Sequence, residues 1–359
     1  MQILLQKLIY SKQDRINSKL IDSVGSIVGR TLNQFEIRNI AYPFDSKVTA
    51  LEWHPSNPYL VAIASKNGEA VVWNTSQQQP VVCKEVVAPG CSIQDVKFDI
   101  STPDTVLVAT MDGYISRHNV EDKRKSTCLL EIPVKDRYRV WWTALDVSNR
   151  LILAGDTRGI VTAWAANCKS KDENTFATSS TDHSVKIWDL RRISNRTEAE
   201  IESGKLCSHM HMLPHDYGVN SVSLSGDGSG RLLTSDQHSE VRIYRAPAWR
   251  LDRIIAHPHR QFQHLTPIRA SWYPNAPIFA IGRYPDPLFP GYTKNELRTI
   301  DCFDAVSGDL IAKIHNMALE GLISISKFNC IGDVMAAAMG ALHVLCYLAK
   351  RSHVETYLI

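Results

Sequence analysis

The chain has 359 residues, 44% of them apolar and 21% charged, which excludes a disordered or fibrous polypeptide and leaves room for one large domain or two ordinary ones. Lys plus Arg is 40 and Asp plus Glu is 37, a net charge of only +3, so any nucleic-acid function must rest on local charge and not on the total. The 8 Cys are scattered from Cys83 to Cys346 with no C-x-x-C pair, which argues against a zinc ribbon, a redox pair or a disulfide scaffold and fits a reducing compartment.

The N-terminal stretch reads as two amphipathic helices joined by polar residues 11–18. Leu4, Leu5, Leu8 and Ile9 form one short apolar face. Leu20, Val24, Ile27, Val28, Leu32 and Phe35 form a second at spacings of three and four. Amphipathicity alone does not say whether these faces cover the main domain or a partner. The opening Met1-Gln2-Ile3-Leu4-Leu5-Gln6-Lys7 is broken too early by Gln and Lys for a signal peptide. A soluble, intracellular chain is expected.

From Thr49 the pattern changes to short β-branched runs separated by polar turns, the signature of an all-β chain. The runs repeat. Leu60-Val61-Ala62-Ile63-Ala64-Ser65 leads through Lys66-Asn67-Gly68 into Ala70-Val71-Val72-Trp73. Related hairpins centre on Asp112-Gly113, Asp156 with Gly159, Asp182-His183 and Asp236, and two weaker copies end at Phe303 and Tyr347. Val185-Lys186-Ile187-Trp188-Asp189 is the ending that names the WD repeat. Seven copies at a period of roughly 40–45 residues predict a seven-bladed WD-repeat β-propeller, each blade a four-stranded sheet. The expected organisation is a helical extension over 1–40, the propeller over 41–350 and a tail over 351–359. Residues 334–349, the most apolar stretch, contain His343 and a central Gly340, so they read as two strands of the last blade and not as a membrane span.

One spacing breaks the pattern. The closing residues Trp73, His118, Trp164, Trp188, Tyr244, Phe303 and Tyr347 are separated by 45, 46, 24, 56, 59 and 44 residues. A step of 24 cannot hold four strands, and the stretch between Trp164 and Phe176 is mostly polar. The outer strand of the third blade and the inner strand of the fourth are therefore expected to be missing or badly shortened at junction 165–175.

The longer steps carry inserted loops, where function sits on a rigid scaffold. Residues 251–298 hold 6 cations (Arg253, Arg260, Arg269, Arg283, Lys294, Arg298) and 3 anions (Asp252, Asp286, Glu296). That excess equals the net charge of the whole chain. Phe262, Tyr273, Tyr284, Phe289 and Tyr292 lie among them, a mixture suited to phosphate contacts and an apolar wedge between bases. An ordinary solvated rim has the same composition, so this reading stays open on residues alone. His257-Pro258-His259 lacks further His or Cys at zinc-site spacing and is expected to be a pair of solvent-facing loop histidines. Asp182-His183 and Asp236 with His238 recur at hairpin turns, where Asx-turn hydrogen bonding explains them better than acid–base chemistry. No nucleophile elbow, phosphate-binding loop or dinucleotide motif is present, so no catalytic residue, cofactor or metal is assigned and an enzyme is not expected.

Three stretches carry a specific resemblance: Ala256 through Pro267 (AHPHRQFQHLTP), Gly282-Arg283-Tyr284-Pro285-Asp286-Pro287, and Glu296-Leu297-Arg298-Thr299-Ile300-Asp301. They resemble the DNA damage-binding protein 2 family, lesion-recognising subunits of UV-damaged-DNA-binding complexes, and the likeness runs from the N-terminal helices to about Tyr347. It implies that Phe262, Gln263 and His264 form the hairpin that enters the minor groove and fills the gap left by a flipped photodimer. It implies that Trp141 and Tyr284 line the pocket for the flipped bases, and that Arg260, Arg298 and Lys66 contact phosphates. Lys47 stands where the family tends to have Arg, keeping the charge and losing the bidentate fork.

The same resemblance gives Trp188-Asp189-Leu190-Arg191 the role of the W-D-x-R box of cullin-4 RING ubiquitin-ligase receptors. The implied partner is the adaptor DNA damage-binding protein 1, whose cleft would take the helical face of Leu20, Val24, Ile27 and Val28, with Arg191 at its edge. The implied setting is nucleotide excision repair in the nucleus on damaged double-stranded DNA, with chromatin and histones as further partners and no membrane. The short stretch after Trp164 removes a loop where the family carries a lysine cluster facing DNA. A WD-repeat protein-binding scaffold that has lost lesion binding is the alternative.

Overall fold

A computed structural model describes residues 18–77, 85–86, 90–100, 102, 104–120, 126–133, 135–137, 139–147, 151–165, 175–192, 209–259, 267–315, 321–339 and 343–349. The strands form seven antiparallel sheets. Blade one comprises Val48–Trp53, Leu60–Ser65, Glu69–Asn74 and Glu85–Val86. Blade two comprises Ile93–Phe98, Thr105–Thr110, Tyr114–Asn119 and Ser126–Glu131. Blade three holds Trp142–Val147, Leu151–Asp156 and Val161–Ala165, and blade four holds Thr175–Ser179, Ser184–Asp189 and His211–Pro214. Blade five comprises Val219–Leu224, Arg231–Asp236, Glu240–Arg245 and Arg250–Ala256. Blade six comprises Ser271–Trp272, Ile278–Gly282, Ile300–Asp304 and Leu310–Ile314. Blade seven takes Ile323–Phe328, Val334–Met339 and His343–Ala349 from the end of the chain and Phe35–Ala41 from its start.

This is the seven-bladed propeller that the repeats predict, closed by pairing the first described strand with the last. Among the described residues blades three and four have three strands each, not four. The registers identify what is missing. Thr175–Ser179 pairs with the strand that carries Trp188 just as Leu60–Ser65 pairs with the strand that carries Trp73. Thr175–Ser179 is therefore a second strand, and among the described residues blade four has no innermost one. Blade three, by the same comparison, has no outermost one among them.

The blades stack on one another, so most second strands are apolar on both faces. The hydrophobic core accordingly splits into clusters between neighbours. Val61, Ile63 and Trp73 of blade one meet Val334, Ala336 and Ala338 of blade seven. Equivalent clusters join blades one to two, two to three, four to five, five to six and six to seven. Among the described residues no such cluster joins blade three to blade four.

The five complete inner strands share one device. Each has a register shift between its first and third residues: Val48/Ala50, Ile93/Asp95, Trp142/Ala144, Val219/Ser221 and Ile323/Ile325. The bulge sends the fifth residue into the central channel. There Glu52 meets Lys97 at 2.8 Å and Lys327 at 2.5 Å. Burial alone would raise the Glu52 pKa, but the two ammonium groups overcome it and hold the carboxyl at about 2. One carboxylate thus ties the inner strands of blades seven, one and two.

The tight turn between second and third strands needs a left-handed residue, supplied by Gly68, Gly113 and Gly159 (φ 83°, 88° and 81°). Blade four places His183 there at φ 66°. The expected Asx-turn bonds form beside it, with the Ser184 N–H donating to Asp182 Oδ1 at 3.0 Å and the His238 N–H to Asp236 Oδ1 at 3.0 Å.

One described helix, Ser18–Leu32, precedes the propeller. It stops before Phe35, which was expected on its apolar face but instead opens the closing strand of blade seven. The final residues expected in the helical extension are therefore part of the propeller. The first expected helix, with Leu4, Leu5, Leu8 and Ile9, and the tail 351–359 lie outside the described residues. No described helix is long and apolar enough to cross a membrane.

Candidate nucleic-acid interface

Antiparallel order places two connections of each blade at the same end: the turn from second to third strand, and the link from the outer strand to the next blade. Lys47, Lys66, Trp141, Tyr284 and Arg298 all lie in such connections. The propeller thus gathers onto one end residues that are up to 251 positions apart in the sequence (298 − 47).

Lys47 precedes the inner strand of blade one, and its carbonyl accepts the Lys66 N–H at 2.8 Å. Lys66 is exposed and Lys47 half-buried. Burial and then the Lys66 charge push the Lys47 ammonium below the usual lysine range. Two cations held together in this way favour an anion between them. Trp141, half-buried, is locked by the Thr157 N–H donating to its carbonyl at 3.0 Å.

Tyr284 and Arg298 flank the long loop of blade six, and the Arg298 guanidinium carbon lies 5.5 Å from the Tyr284 ring centroid. Arg298 is exposed and Tyr284 half-buried, so the pair presents a charge beside an aromatic face. The Tyr284 N–H donates to Pro258 O at 2.9 Å, which ties this loop to the chain entering 260–266. Arg260, Phe262, Gln263 and His264 lie outside the described residues. Both flanks are fixed: His257 and His259 on one side, and Arg269 on the other, whose N–H donates to Ser324 O at 3.0 Å.

The His257-Pro258-His259 expectation is overturned. Both histidines are fully buried (0% exposed). Their rings stack with centroids 5.4 Å apart and Nδ1 atoms at 3.2 Å. His257 Nε2 lies 3.5 Å from Asp301 Oδ2, and His259 Nε2 lies 3.4 Å from Asp236 Oδ1. Arg283 reaches the same Asp301 oxygen at 3.2 Å and Glu296 at 2.5 Å, while the Thr299 hydroxyl bonds the other Asp301 oxygen. Burial holds His257 down at about 4, so it is neutral at physiological pH. For Asp301 burial acts upward, but the His257, Thr299 and Arg283 contacts outweigh it and keep the carboxyl below its ordinary range. The motif is a polar pedestal beneath the loops of blades five and six. Sequence reasoning missed it. The available signal was an aspartate, Asp301, set inside the apolar run Ile300-Asp301-Cys302-Phe303, where an unpaired carboxylate would be costly. The described residues contain no group able to hold a metal ion.

The other expected surface is at the opposite end. Asp189 closes a third strand, and its carboxylate accepts Arg191 Nε at 3.0 Å and Nη2 at 2.7 Å. These bonds hold Asp189 at about 2. The Arg191 side chain remains 69% exposed. Trp188 does not reach the surface fully: its indole N–H bonds the Thr178 hydroxyl at 2.9 Å and its ring stacks on Phe176. The helix lies along the same end of blade six, with Gly25 against Asp304 and Gly29 against Ile311. Val28 is half-buried and packs on the core between blades six and seven. Ile27 stays 48% exposed. Leu20 and Val24 belong to the same helix, but their side chains are outside those described.

Comparison with known proteins agrees with this architecture. The family model "WD domain, G-beta repeat" matches residues 39–74 and 143–189. The second match runs straight across the shortened junction. The chain is similar to DNA damage-binding protein 2 of Gallus gallus, 36% identical over 87% of this chain and 64% of that one. It is 36% identical to DNA damage-binding protein 2 of Bos taurus over 88% of this chain and 76% of the relative. The likeness to the Oryza sativa protein of the same name is 23% over 85% and 55%. The chain therefore spans less than two thirds of the chicken and rice relatives, and about three quarters of the bovine one.

Proposed function

The chain belongs to the DNA damage-binding protein 2 family, and from that premise we propose that it recognises UV-damaged duplex DNA in the nucleus as a binding protein without catalysis. The loop end of the propeller is the proposed DNA face. Arg260, Arg298, Lys66 and Lys47 contact phosphates, Phe262, Gln263 and His264 fill the gap in the stack, and Trp141 and Tyr284 hold the flipped bases. A photodimer is already poorly stacked, so flipping it costs less than flipping normal bases, which supplies selectivity without base-specific hydrogen bonds.

The opposite end is the proposed docking surface for the adaptor DNA damage-binding protein 1, and through it the cullin-4 RING ligase. Arg191, braced by Asp189, and the exposed Ile27 edge of the helix are its anchors. Residues 1–34 serve as the docking extension on this reading. Chromatin and histones are the expected further partners.

The observation that carries the proposal is the grouping of Tyr284, Arg298, Lys47, Lys66 and Trp141 on one end, with Arg191 at the other, so that DNA and adaptor can be held together. A gel shift with a photodimer duplex, adaptor co-expressed, tests it. Phe262→Ala and Gln263→Ala should abolish the preference for damage. Arg298→Ala should weaken damaged and intact duplexes alike and leave the preference, with a shallower salt dependence. Equal affinity of the parent protein for both duplexes would overturn the reading. The strands absent among the described residues of blades three and four favour a second one, a protein-binding scaffold, for which adaptor binding survives with no lesion preference.

A further inference from the structure

The break between blades three and four leaves a strand-shaped site. In four other blades the second strand is wholly buried: Thr105–Thr110, Arg231–Asp236, Ile278–Gly282 and Val334–Met339. The equivalent Thr175–Ser179 has no buried residue at all. Its third-strand neighbour Trp188 is half-buried, whereas the equivalent Trp73 is 0% exposed. Across the cleft, Leu151 and Leu153 of blade three are also only half-buried. Among the described residues nothing pairs with the inner edge of Thr175–Ser179, the edge to which an inner strand adds in the other blades. The sequence of 166–174, Ala-Asn-Cys-Lys-Ser-Lys-Asp-Glu-Asn, lacks the apolar alternation of the other inner strands.

The other blades specify what fits. Their inner strands read Val-Thr-Ala-Leu-Glu-Trp, Ile-Gln-Asp-Val-Lys-Phe, Trp-Thr-Ala-Leu-Asp-Val, Val-Asn-Ser-Val-Ser-Leu and Ile-Ser-Ile-Ser-Lys-Phe. The first and sixth residues are apolar in all five, the fourth in four, and the second and fifth are polar in all. In blade one, positions one, four and six (Val48, Leu51, Trp53) pack toward the preceding blade, which for blade four is the open wall of Leu153. By register, position six would pair with Phe176, position five with Ala177, position four with Thr178 and position three with Ser179.

Charge selects the remaining position. Fifth residues face the channel, where Glu52 of blade one is followed by Lys97 of blade two and Asp146 of blade three. Burial lowers the Lys97 pKa, and Glu52, Asp95 and Asp146 together raise it above the usual lysine range. Asp146 is exposed and sits next to the empty place, so the alternation continues with a cation.

We propose that the cleft between blades three and four is a strand-acceptor site for an extended segment of a partner protein. The segment has the pattern apolar–polar–any–apolar–Lys/Arg–apolar and adds antiparallel to Thr175–Ser179 as the missing inner strand.

The probe is a synthetic peptide of residues 92–100, which carries Ile-Gln-Asp-Val-Lys-Phe, titrated into the full chain. Fluorescence anisotropy should show saturable binding, and the thermal midpoint should rise with peptide concentration. Exchanging the peptide's Lys97 for Glu should weaken binding about fivefold, as for a partly exposed ion pair. The Asp146→Lys protein, altered at an exposed position, should reverse that preference. N-methylating the backbone at Val96 and Phe98 of the peptide should lower affinity further by blocking the ladder. The proposal is overturned if the Lys and Glu peptides bind alike, if the N-methylated peptide binds as well as its parent, or if the parent peptide does not bind. Concentration-dependent dimers in sedimentation, unaffected by peptide, would assign the edge to a second copy of the chain and also overturn it.

Discussion

At the residue scale the clearest surprise is His257. Its neutral form is favoured by burial in the folded state, with a pKa near 4 against 6.5 for an ordinary histidine. Between those values the unfolded chain binds the extra proton, so stability is full above pH 6.5 and falls as pH drops toward 4. The loss is at most about 3 kcal/mol. Urea midpoints measured across that window should fall, and His257→Gln should flatten the fall while lowering stability at neutral pH. A pH response unchanged by the substitution would remove His257 as its source. Glu52 gives a separate step, between about 4.5 and 2, because its carboxylate is stabilised by Lys97 and Lys327. None of this was visible from spacing. His257 and His259 stand in a connection that looks solvated, and only the fold brings Asp236 and Asp301 beneath them.

At the element scale, backbone approach between blades decides more than propensity does. Gly282 ends a strand of blade six, where an added Cβ would sit 2.0 Å from Ile323 O of blade seven. That contact is to backbone, so Gly282→Ala should cost about 3 kcal/mol and lower the thermal midpoint markedly. Gly29 is the opposite case. It lies inside the helix, and its Cβ would make an ordinary 3.5 Å contact with Ile311. Gly29→Ala should stabilise the protein by up to about 1 kcal/mol through helix propensity. The two glycines look alike in the sequence. The hairpins themselves were legible because β-branched runs, turn aspartates and closing aromatics recur at a fixed period. The end of the helix was not, because Phe35 continues the helical spacing of Leu32 and Val28 while its backbone pairs with Ala349.

At the scale of the whole molecule, the step of 24 between Trp164 and Trp188 was the most informative number in the sequence. It pointed to the two strands that are absent among the described residues, since strand count follows from length. What it did not give is the consequence for the core. Each blade buries its faces only against neighbours, and among the described residues six clusters seal six of the seven boundaries. Stability in such an array is graded by distance from a free end. Hydrogen exchange should therefore be fastest in Thr175–Ser179 and Val161–Ala165 and slowest in Leu60–Ser65 and Val334–Met339, read by mass spectrometry. Equal protection of Thr175–Ser179 and Leu60–Ser65 would show that the seam is closed in solution.

The closing strand Phe35–Ala41 gives that seam a particular place. The first and last parts of the chain are stitched together in blade seven, on the far side of the ring from the opening. The polypeptide is thus continuous across the one boundary that no core cluster of the described residues seals, and its two ends meet inside a blade that is sealed on both sides. Two polypeptides, 1–165 and 166–359, expressed together, should reassemble into a single particle held by the shared seventh blade. The covalent link through 166–174 would then be dispensable to assembly, and the pairing of Phe35–Ala41 with His343–Ala349 would be its clasp.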